Sequence, residues 1–271
     1  MLKPQLTPGR HHRAPGAARA KGRARRTERP LLHYCWLAPR GTRRWNFSLA
    51  AYICARSALE HVRPRRTILW TNAAPAGEHW KKLRGEVQVR PTPVDLTSWG
   101  TKPILLGAHM ADKLRLEVIH RHGGIYLDHD VLVLKPLDAL LGGRLILGRC
   151  SADGLGNGVI IAGRRDPFIS IWREAYEEHF EPDGWDEASV KLPHRLARRH
   201  PGLIRVLPQT AFYHPSWLEW RRVFEERDVL LPRSYAYHLW NAFAGEHLDT
   251  LTVDGIRSGT SQFDRIAREY L

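Results

Sequence analysis

Short apolar runs alternate with helical stretches along this chain, and that alternation constrains the fold more than any other feature. The runs at residues 31–37 and 67–71 predict buried strands, and helical stretches follow them at about residues 45–61 and 76–84. Strands that alternate with helices are typical of an α/β domain with a parallel sheet. Residues 31–271 are numerous and apolar enough to build one such domain around a sizeable core.

Positive charge is concentrated at the start of the chain. Residues 1–30 carry nine basic side chains against one acidic side chain, a net +8 of the formal +14. The segment is rich in Pro, Gly and Ala and has no apolar periodicity, so we expect a disordered tail. A solvated leader is the simplest interpretation. A nucleic-acid arm and a peripheral contact with an anionic membrane remain open beside it.

The cysteines and the hydropathy pattern bear on the compartment. Three widely spaced cysteines in apolar surroundings predict neither a disulfide framework nor a cysteine zinc site; they are Cys35, Cys54 and Cys150. No apolar run reaches the roughly eighteen residues of a membrane helix, and the start of the chain lacks the apolar core of a secretion signal. These features predict a soluble, cytoplasmic protein with reduced thiols.

The clearest helix is predicted at residues 104–122. Apolar side chains recur there at three- and four-residue spacing, and Gly123 follows as a cap. Arg115 falls within the apolar stripe and Asp112 at its edge, because residues three apart are neighbours on a helix. A buried arginine is costly unless a carboxylate or an anionic ligand meets it. The pair therefore either closes the helix privately or faces a ligand cleft.

A pair of aspartates follows this helix. Residues 125–127 predict one strand and residues 131–134 another, with Asp128, His129 and Asp130 between them. In an extended chain, side chains two residues apart share a face, so we expect Asp128 and Asp130 to project together and His129 to point away. Adjacent carboxylates repel each other, and Mn²⁺ or Mg²⁺ relieves the repulsion. This predicts a metal site at the carboxyl end of a strand, where α/β folds bind ligands.

Three functions are compatible with the pair. In glycosyl transfer, a metal held between carboxylates and a nucleoside diphosphate assists the departure of the leaving group. In a phosphatase of the haloacid-dehalogenase type, Asp128 would be the nucleophile; such enzymes normally carry their Asp-x-Asp near the N-terminus and add a second acidic pair, of which we find no convincing example. Nucleic-acid binding would depend on the basic tail, and no known nucleic-acid motif accompanies it.

A longer stretch around the aspartates resembles a known family. Residues 111–137, which include Ala-Asp-Lys-Leu-Arg at 111–115 and Gly-Gly-Ile-Tyr-Leu-Asp-His-Asp at 123–130, closely resemble the sugar-binding region of glycosyltransferase family 32. They are more distantly similar to α-1,4-galactosyltransferases, the yeast initiating α-1,6-mannosyltransferase and glucosylating clostridial toxins. The resemblance implies a GT-A fold: a single Rossmann-like nucleotide-sugar-binding domain with a mixed central sheet, over residues 31–271.

The resemblance also implies an activity. It is the retaining transfer of a hexose from a UDP- or GDP-sugar to a hydroxyl group of a glycan, lipid or protein, with a glycan or polysaccharide favoured. Mn²⁺, or Mg²⁺, would be the cofactor. Asp130 would coordinate it directly, Asp128 would bind the ribose and support the metal, and His238 would be a third ligand. Arg115 would join the two aspartates as a catalytic residue.

The donor site is implied in the same way. Its residues are Trp36, Asp112, Arg115, Tyr126, Asp128, Asn157 and Trp240. Arg115 and Asp112 would hold sugar hydroxyls or phosphate, and Tyr126, like the base-stacking Trp36, would line the nucleotide pocket. Trp240 would donate its indole N–H to the diphosphate, and Asn157 would contact the donor sugar or the acceptor. From the residues alone, packing roles for the tryptophans and a simple Asn-Gly turn at Asn157 remain open.

Overall fold

The structure, a computed structural model, describes residues 28–271. Residues 1–27 of the predicted tail lie outside the described part. The strands within it are β1 (Leu31–Trp36), β2 (Arg44–Asn46), β3 (Arg66–Thr71), β4 (Ala74–Ala76), β5 (Gln88–Pro91), β6 (Ser98–Trp99), β7 (Lys102–Pro103), β8 (Gly124–Leu127), β9 (Val131–Val133), β10 (Leu145–Arg149), β11 (Leu155–Ala162), β12 (Ile204–Leu207) and β13 (Ala236–His238).

Nine α-helices are found in the same described part. They are α1 (Leu49–Val62), α2 (Glu78–Leu83), α3 (Gly107–His122), α4 (Pro167–His179), α5 (Leu192–Arg199), α6 (Arg222–Glu225), α7 (Asn241–Asp249), α8 (Val253–Ser258) and α9 (Gln262–Ala267). A π-helical turn at Glu187–Lys191 leads into α5. No helix within residues 28–271 combines the length and the apolar character needed to cross a bilayer.

A seven-stranded sheet forms the centre of the domain, in the order β12-β10-β11-β8-β1-β3-β5. Most neighbours are parallel, but β11 runs antiparallel to both β10 and β8. The loop at residues 150–154 explains the reversal, because five residues suffice for a hairpin but not for a parallel crossover. The expected α/β class with a mixed central sheet, as in the GT-A description, is confirmed; the purely parallel sheet predicted from the alternation alone is wrong.

Two apolar cores sandwich this sheet. One lies between the sheet and α1 with the C-terminal helices, and the other lies between the sheet and helices α3, α4 and α5. Successive side chains of β1 supply them alternately: Leu32 and Tyr34 enter the first core and Cys35 enters the second. Both faces of β1 are therefore buried, as its apolar sequence predicts.

The predicted cysteine state agrees with this packing. All three cysteines are free thiols; Cys35 and Cys54 are buried, and Cys150 is half-buried. Burial raises the pKa of Cys35 to about 12, which makes its thiol unreactive near neutral pH.

Two helix starts differ from their predictions. Trp45, expected in the first helix, lies in β2, and α1 begins after Ser48, whose hydroxyl accepts the Ala51 N–H at 3.2 Å. That cap fixes the start, because a serine side chain satisfies an otherwise unpaired amide of the first turn. Likewise α3 begins at Gly107, so the apolar residue Ile104 precedes the helix that it was expected to open.

Strand β9 does not continue the central sheet. It pairs antiparallel with β13, where His238 lies opposite Val131, and the two strands form a small separate sheet against α1. The three residues between β8 and β9 therefore lie at the junction of the two sheets. This junction positions the candidate site.

Candidate functional site

Asp128 and Asp130 lie on a turn between β8 and β9. The Val131 N–H donates to the Asp128 carbonyl at 3.0 Å, so the chain folds back here. The prediction of extended backbone at these residues is wrong because this turn closes, yet the two carboxylates still reach the same place. His129 is not a member of this ligand group; it lines the same cleft, and its ring meets Trp36 edge-on, with the centroids 5.0 Å apart.

The two carboxylates and the His238 imidazole form a compact group. One oxygen or nitrogen atom from each lies within 4.8 Å of the others, and no other such set of three was found within residues 28–271. His238 Nε2 is 3.6 Å from Oδ2 of Asp128 and 3.6 Å from Oδ1 of Asp130. Strand β13 delivers the imidazole, because its register places His238 beside the residue that follows the turn.

These donor atoms fit a hard divalent cation. Carboxylate oxygens suit Mn²⁺ and Mg²⁺, and imidazole nitrogen is a common third ligand of transition metals. Asp130 is held in place, since its Oδ2 accepts the Asn241 backbone N–H at 2.7 Å. Burial alone would lower the pKa of His238, but the carboxylates of Asp130 and Asp128 raise it above its ordinary value. The buried pair thus attracts positive charge, as a proton on His238 or as a metal.

The second nitrogen of His238 sets a condition on metal binding. Nδ1 accepts the Trp240 backbone N–H at 3.0 Å. A neutral imidazole that accepts at Nδ1 carries its proton on Nε2, which faces the carboxylates. Coordination through Nε2 requires the opposite tautomer, with the proton on Nδ1. A metal bound through His238 therefore requires the Trp240 amide to leave Nδ1.

Arg115 is the buried cation that compensates Asp128. Its two terminal nitrogens lie 3.1 and 3.2 Å from the two oxygens of Asp128, and its Nε donates to the Ala111 carbonyl at 3.2 Å. Burial alone would raise the pKa of Asp128, but the guanidinium holds it well below its usual range. Conversely, burial would lower the pKa of Arg115, and Asp128 raises it well above its ordinary value. Asp128 stays ionised without a metal.

Asp112 completes the polar floor. Its distance to Arg115 Nε, 3.6 Å, makes the pair within the helix the looser of the two that Arg115 forms. The Asp112 oxygens instead accept the Asn157 side-chain amide at 2.7 Å and the Tyr176 hydroxyl at 2.9 Å. We predicted either a private ion pair within the helix or a pair that faces a ligand cleft. Neither describes the contacts fully, because the main partner of Arg115 is Asp128, the residue after the next strand.

The aromatic residues expected at the donor site have partners of their own. The Tyr126 hydroxyl donates to Oδ1 of Asp128 at 2.5 Å. Trp36 is buried and packs on Phe47, with the ring centroids 4.6 Å apart. The indole N–H of Trp240 donates to the Pro215 carbonyl at 3.2 Å, so contact with a diphosphate would require that bond to break. The donor roles of all three stay predictions.

The residues predicted to bind the metal or the donor all border one cleft of about 520 Å³. Two other cavities in the described part, of about 570 and 700 Å³, contain none of them. Arg115 is the single Lys or Arg in the lining of the cleft among the residues that the structure describes. Sequence reasoning missed Trp45, Trp185 and Phe243, which also line it, and no local signal distinguishes them from other surface aromatics.

Gly158 lies against the cluster, and its carbonyl accepts the Asp128 N–H at 2.8 Å. A Cβ at this position would be 2.6 Å from His238 Cδ2 and 2.9 Å from Asp128 Oδ2. We expect Gly158→Ala to push the two side chains apart and weaken Mn²⁺ binding about 10- to 100-fold, measured by calorimetry. Gly163→Ala is the matched control, because its Cβ would meet nothing within 4 Å. Similar losses in both variants would contradict this account.

The sequence around the site matches two known families. Residues 56–146 match the family described as "Glycosyltransferase sugar-binding region containing DXD motif", and residues 161–254 match the "Alpha 1,4-glycosyltransferase conserved region". Both matched regions are regions of glycosyltransferases, and the first is defined by its DXD motif. The resemblance to glycosyltransferase family 32 is confirmed, and the matches decide against the phosphatase alternative. The site agrees, since Arg115 and Tyr126 already engage the carboxylate oxygens of Asp128 that a nucleophile needs free.

Curated relatives of this glycosyltransferase come from a fungus and from animals. Glucan organizing enzyme 1 of Cryptococcus neoformans var. grubii is 34% identical over 235 residues, covering 82% of this chain and 64% of that protein. Human lactosylceramide 4-alpha-galactosyltransferase is 29% identical over 156 residues, covering 52% and 43%. Human alpha-1,4-N-acetylglucosaminyltransferase is 30% identical over 146 residues, covering 48% and 42%. The chain thus spans less than two thirds of each.

Solved structures of glycosyltransferases are similar to this one at low sequence identity. The apo form of GlyE from Streptococcus pneumoniae TIGR4 gives a TM-score of 0.49 at 14% identity, covering 90% of this chain and 60% of that one. The galactosyltransferase LgtC, in complex with donor and acceptor sugar analogs, gives a TM-score of 0.43 at 15% identity, covering 83% and 98%.

Proposed function

We propose that this glycosyltransferase transfers a hexose from a UDP- or GDP-sugar to a hydroxyl group of a glycan, with retention of the anomeric configuration and with Mn²⁺ or Mg²⁺ as cofactor. One observation carries the proposal. The Asp128, Asp130 and His238 cluster borders a cleft of about 520 Å³, in which Arg115 is the single Lys or Arg that residues 28–271 contribute. The cleft is large enough for a nucleotide-sugar, and the cluster supplies the ligands of a cation.

The charge balance of the cleft supports dependence on a metal. A nucleoside diphosphate leaves with roughly three negative charges, which must be stabilised as the sugar–phosphate bond breaks. The guanidinium of Arg115 is occupied by Asp128 and by the carbonyls of Ala111 and Asn157. These contacts use four of its five N–H groups, so Arg115 has little capacity left to neutralise a diphosphate. A divalent cation, when bound, would act as the Lewis acid for the departing diphosphate.

The protein residues have separate tasks in this proposal. Asp130, His238 and Asp128 would hold the cation, and Arg115 keeps Asp128 ionised and oriented. The Asn241 N–H fixes the Asp130 carboxylate. Locked side chains of this kind maintain the geometry that transfer needs without reorganisation during the reaction.

Asn157 is our candidate for binding the donor sugar. It lines the cleft, and its side-chain amide N–H donates a hydrogen bond to Asp112. Its side-chain oxygen has no hydrogen-bond partner among the contacts of residues 28–271, so it can accept a sugar hydroxyl. Retention of configuration is tested on the product, because NMR of the new linkage distinguishes the two anomers. An inverted linkage would contradict that part of the proposal.

Donor hydrolysis tests the function before an acceptor is known. With a panel of UDP- and GDP-hexoses, we expect slow hydrolysis in Mn²⁺ that a chelator removes and added Mn²⁺ or Mg²⁺ restores. Calorimetry with UDP and GDP should show at least a tenfold loss of affinity on chelation. Hydrolysis that is indifferent to the chelator would overturn the metal assignment, and cleavage of p-nitrophenyl phosphate instead would favour a phosphatase.

A further inference from the structure

Exposed aromatic side chains stand at the mouth of the cleft. Trp185 is 54% exposed and Phe243 is 46% exposed, and both line the cleft. Trp217 is 39% exposed and stacks on Phe243, with ring centroids 4.9 Å apart and planes 24° apart. Single exposed apolar residues are normal on a protein surface, whereas a group of them beside a cleft marks a binding surface. We refer to these three residues as the aromatic rim.

Phe243 of the aromatic rim is close in sequence to residues that would bind the metal, but the rim does not include them. Helix α7 begins at Asn241, whose N–H binds Asp130, and Phe243 follows in its first turn. Trp185 comes from a different segment, where its carbonyl accepts the Ser189 hydroxyl at 3.4 Å. Two separate segments thus bring aromatic faces to the same cleft, outside the residues that we assign to the donor.

Trp217 positions the ring of Phe243. The Trp217 ring stacks on one face of the Phe243 phenyl ring, which restricts the orientations that Phe243 can adopt. Stacked aromatic pairs are stabilised beyond the area that they bury. We therefore treat Trp217 as a positioning residue.

Apart from the residues assigned to the metal and the donor, the polar side chains that line the cleft are mostly uncharged. They include Asn46, Ser48, Ser189 and Asn241, together with the carboxylate of Asp249. Among residues 28–271, no Lys or Arg lines the cleft apart from Arg115, which is paired with Asp128. Within this described part of the chain, an anionic ligand would find no free guanidinium or ammonium group in the cleft, and Asp249 would repel it. Sugar rings suit such a surface, because their C–H faces pack on aromatic rings and their hydroxyls bond to amides, hydroxyls and carboxylates.

We propose that Trp185 and Phe243 form the acceptor subsite of the enzyme, and that its ligand is an uncharged oligosaccharide. This assignment rests on the proposed function, since an acceptor exists only for a transferase. It narrows the acceptor from a glycan of any kind to a glycan without phosphate or carboxylate groups. The reaction itself is unchanged: the acceptor oxygen bonds to the anomeric carbon of the donor as the sugar–phosphate bond breaks, and the acceptor's proton passes to the departing nucleoside diphosphate.

Acceptor kinetics test the assignment. The probes are maltotriose, cellotriose, laminaritriose and lactose, assayed at saturating donor and Mn²⁺. We expect at least one of them to accept sugar, with Trp185→Ala and Phe243→Ala each raising its KM about tenfold. Trp217→Ala should raise KM less, because it only frees the ring of Phe243. The affinity for UDP in Mn²⁺, measured by calorimetry, should stay within twofold.

Val89→Ala is the matched control. Val89 is 41% exposed but lies on the edge strand β5, away from the cleft, so its variant should keep the wild-type KM. An unchanged KM in both rim variants, or a wild-type enzyme that uses none of the four probes, would overturn the assignment. Rim-dependent binding to phosphatidylcholine vesicles with an unchanged KM would replace it by a lipid-facing role. Failure of the wild type to bind either UDP or GDP would instead contradict the proposed function.

Discussion

Asp130→Asn should reduce glycosyl transfer about a thousandfold and remove the Mn²⁺ dependence of nucleotide binding. The substitution preserves size and leaves an oxygen that can still accept the Asn241 N–H, which lies 2.7 Å from the carboxylate. It removes the negative charge that would hold the cation beside Asp128 and His238. Donor hydrolysis and Mn²⁺ calorimetry on the same preparations separate lost chemistry from lost metal.

Asp254→Asn is the control for that result. Its side chain is 96% exposed, with only a loose contact of 3.7 Å to Arg257. We expect activity and Mn²⁺ affinity to stay at wild-type values, because an exposed pair of this kind contributes little. A transferase that retains most of its activity and its metal response in Asp130→Asn would show that Asp130 is not a metal ligand.

Arg115→Met should destabilise the fold by about 3–5 kcal/mol, since it leaves the carboxylate of Asp128 buried without its partner. The side chain of Arg115 is only 6% exposed, and both terminal nitrogens contact Asp128. Urea unfolding followed by circular dichroism measures the loss. Stability should recover as the pH falls, because the pKa of Asp128 is depressed in the native protein and would rise once the guanidinium is gone.

Two further variants separate charge from geometry at Arg115. Arg115→Lys keeps the charge but cannot contact both oxygens of Asp128, so we expect a loss between wild type and Arg115→Met. Arg222→Met removes an arginine whose partners Glu219 and Glu226 are exposed, and its effect should be much smaller. Equal losses of unfolding free energy in the methionine variants of Arg115 and Arg222 would show that the buried ion pair stabilises the fold no more than an exposed one.

Local patterns in the sequence predicted the parts of the fold that depend on local structure. The apolar runs predicted strands β1, β3 and β8 of the central sheet, and helical periodicity placed Arg115 on a buried face. The direction of β11 could not be read in this way, since pairing partners are set by the whole chain. The C-terminal helices had a weak signal: Ser261 and Asp264 form a capping box, but each helix is too short to show a period.

The candidate site divides in the same way. The Asp128 and Asp130 pair was visible because two carboxylates stand between apolar runs, although the turn that joins them was not foreseen. His238 follows from the family resemblance, and only the register of β13 places it beside the pair. Trp185 and Phe243 come from loops and helix ends whose contacts are entirely tertiary. Their positions needed the folded chain.

A metal bound at the junction between the two sheets would connect them. Asp128 directly follows β8 of the central sheet, whereas Asp130 directly precedes β9 and His238 ends β13 of the small sheet, after which residues 241–271 continue as helices. A cation held by all three residues would link the last part of the chain to the central sheet. Since a ligand stabilises the parts that must be ordered to bind it, emptying the site would loosen α7 and, with it, Phe243. Cofactor binding and acceptor binding would then share one moving element.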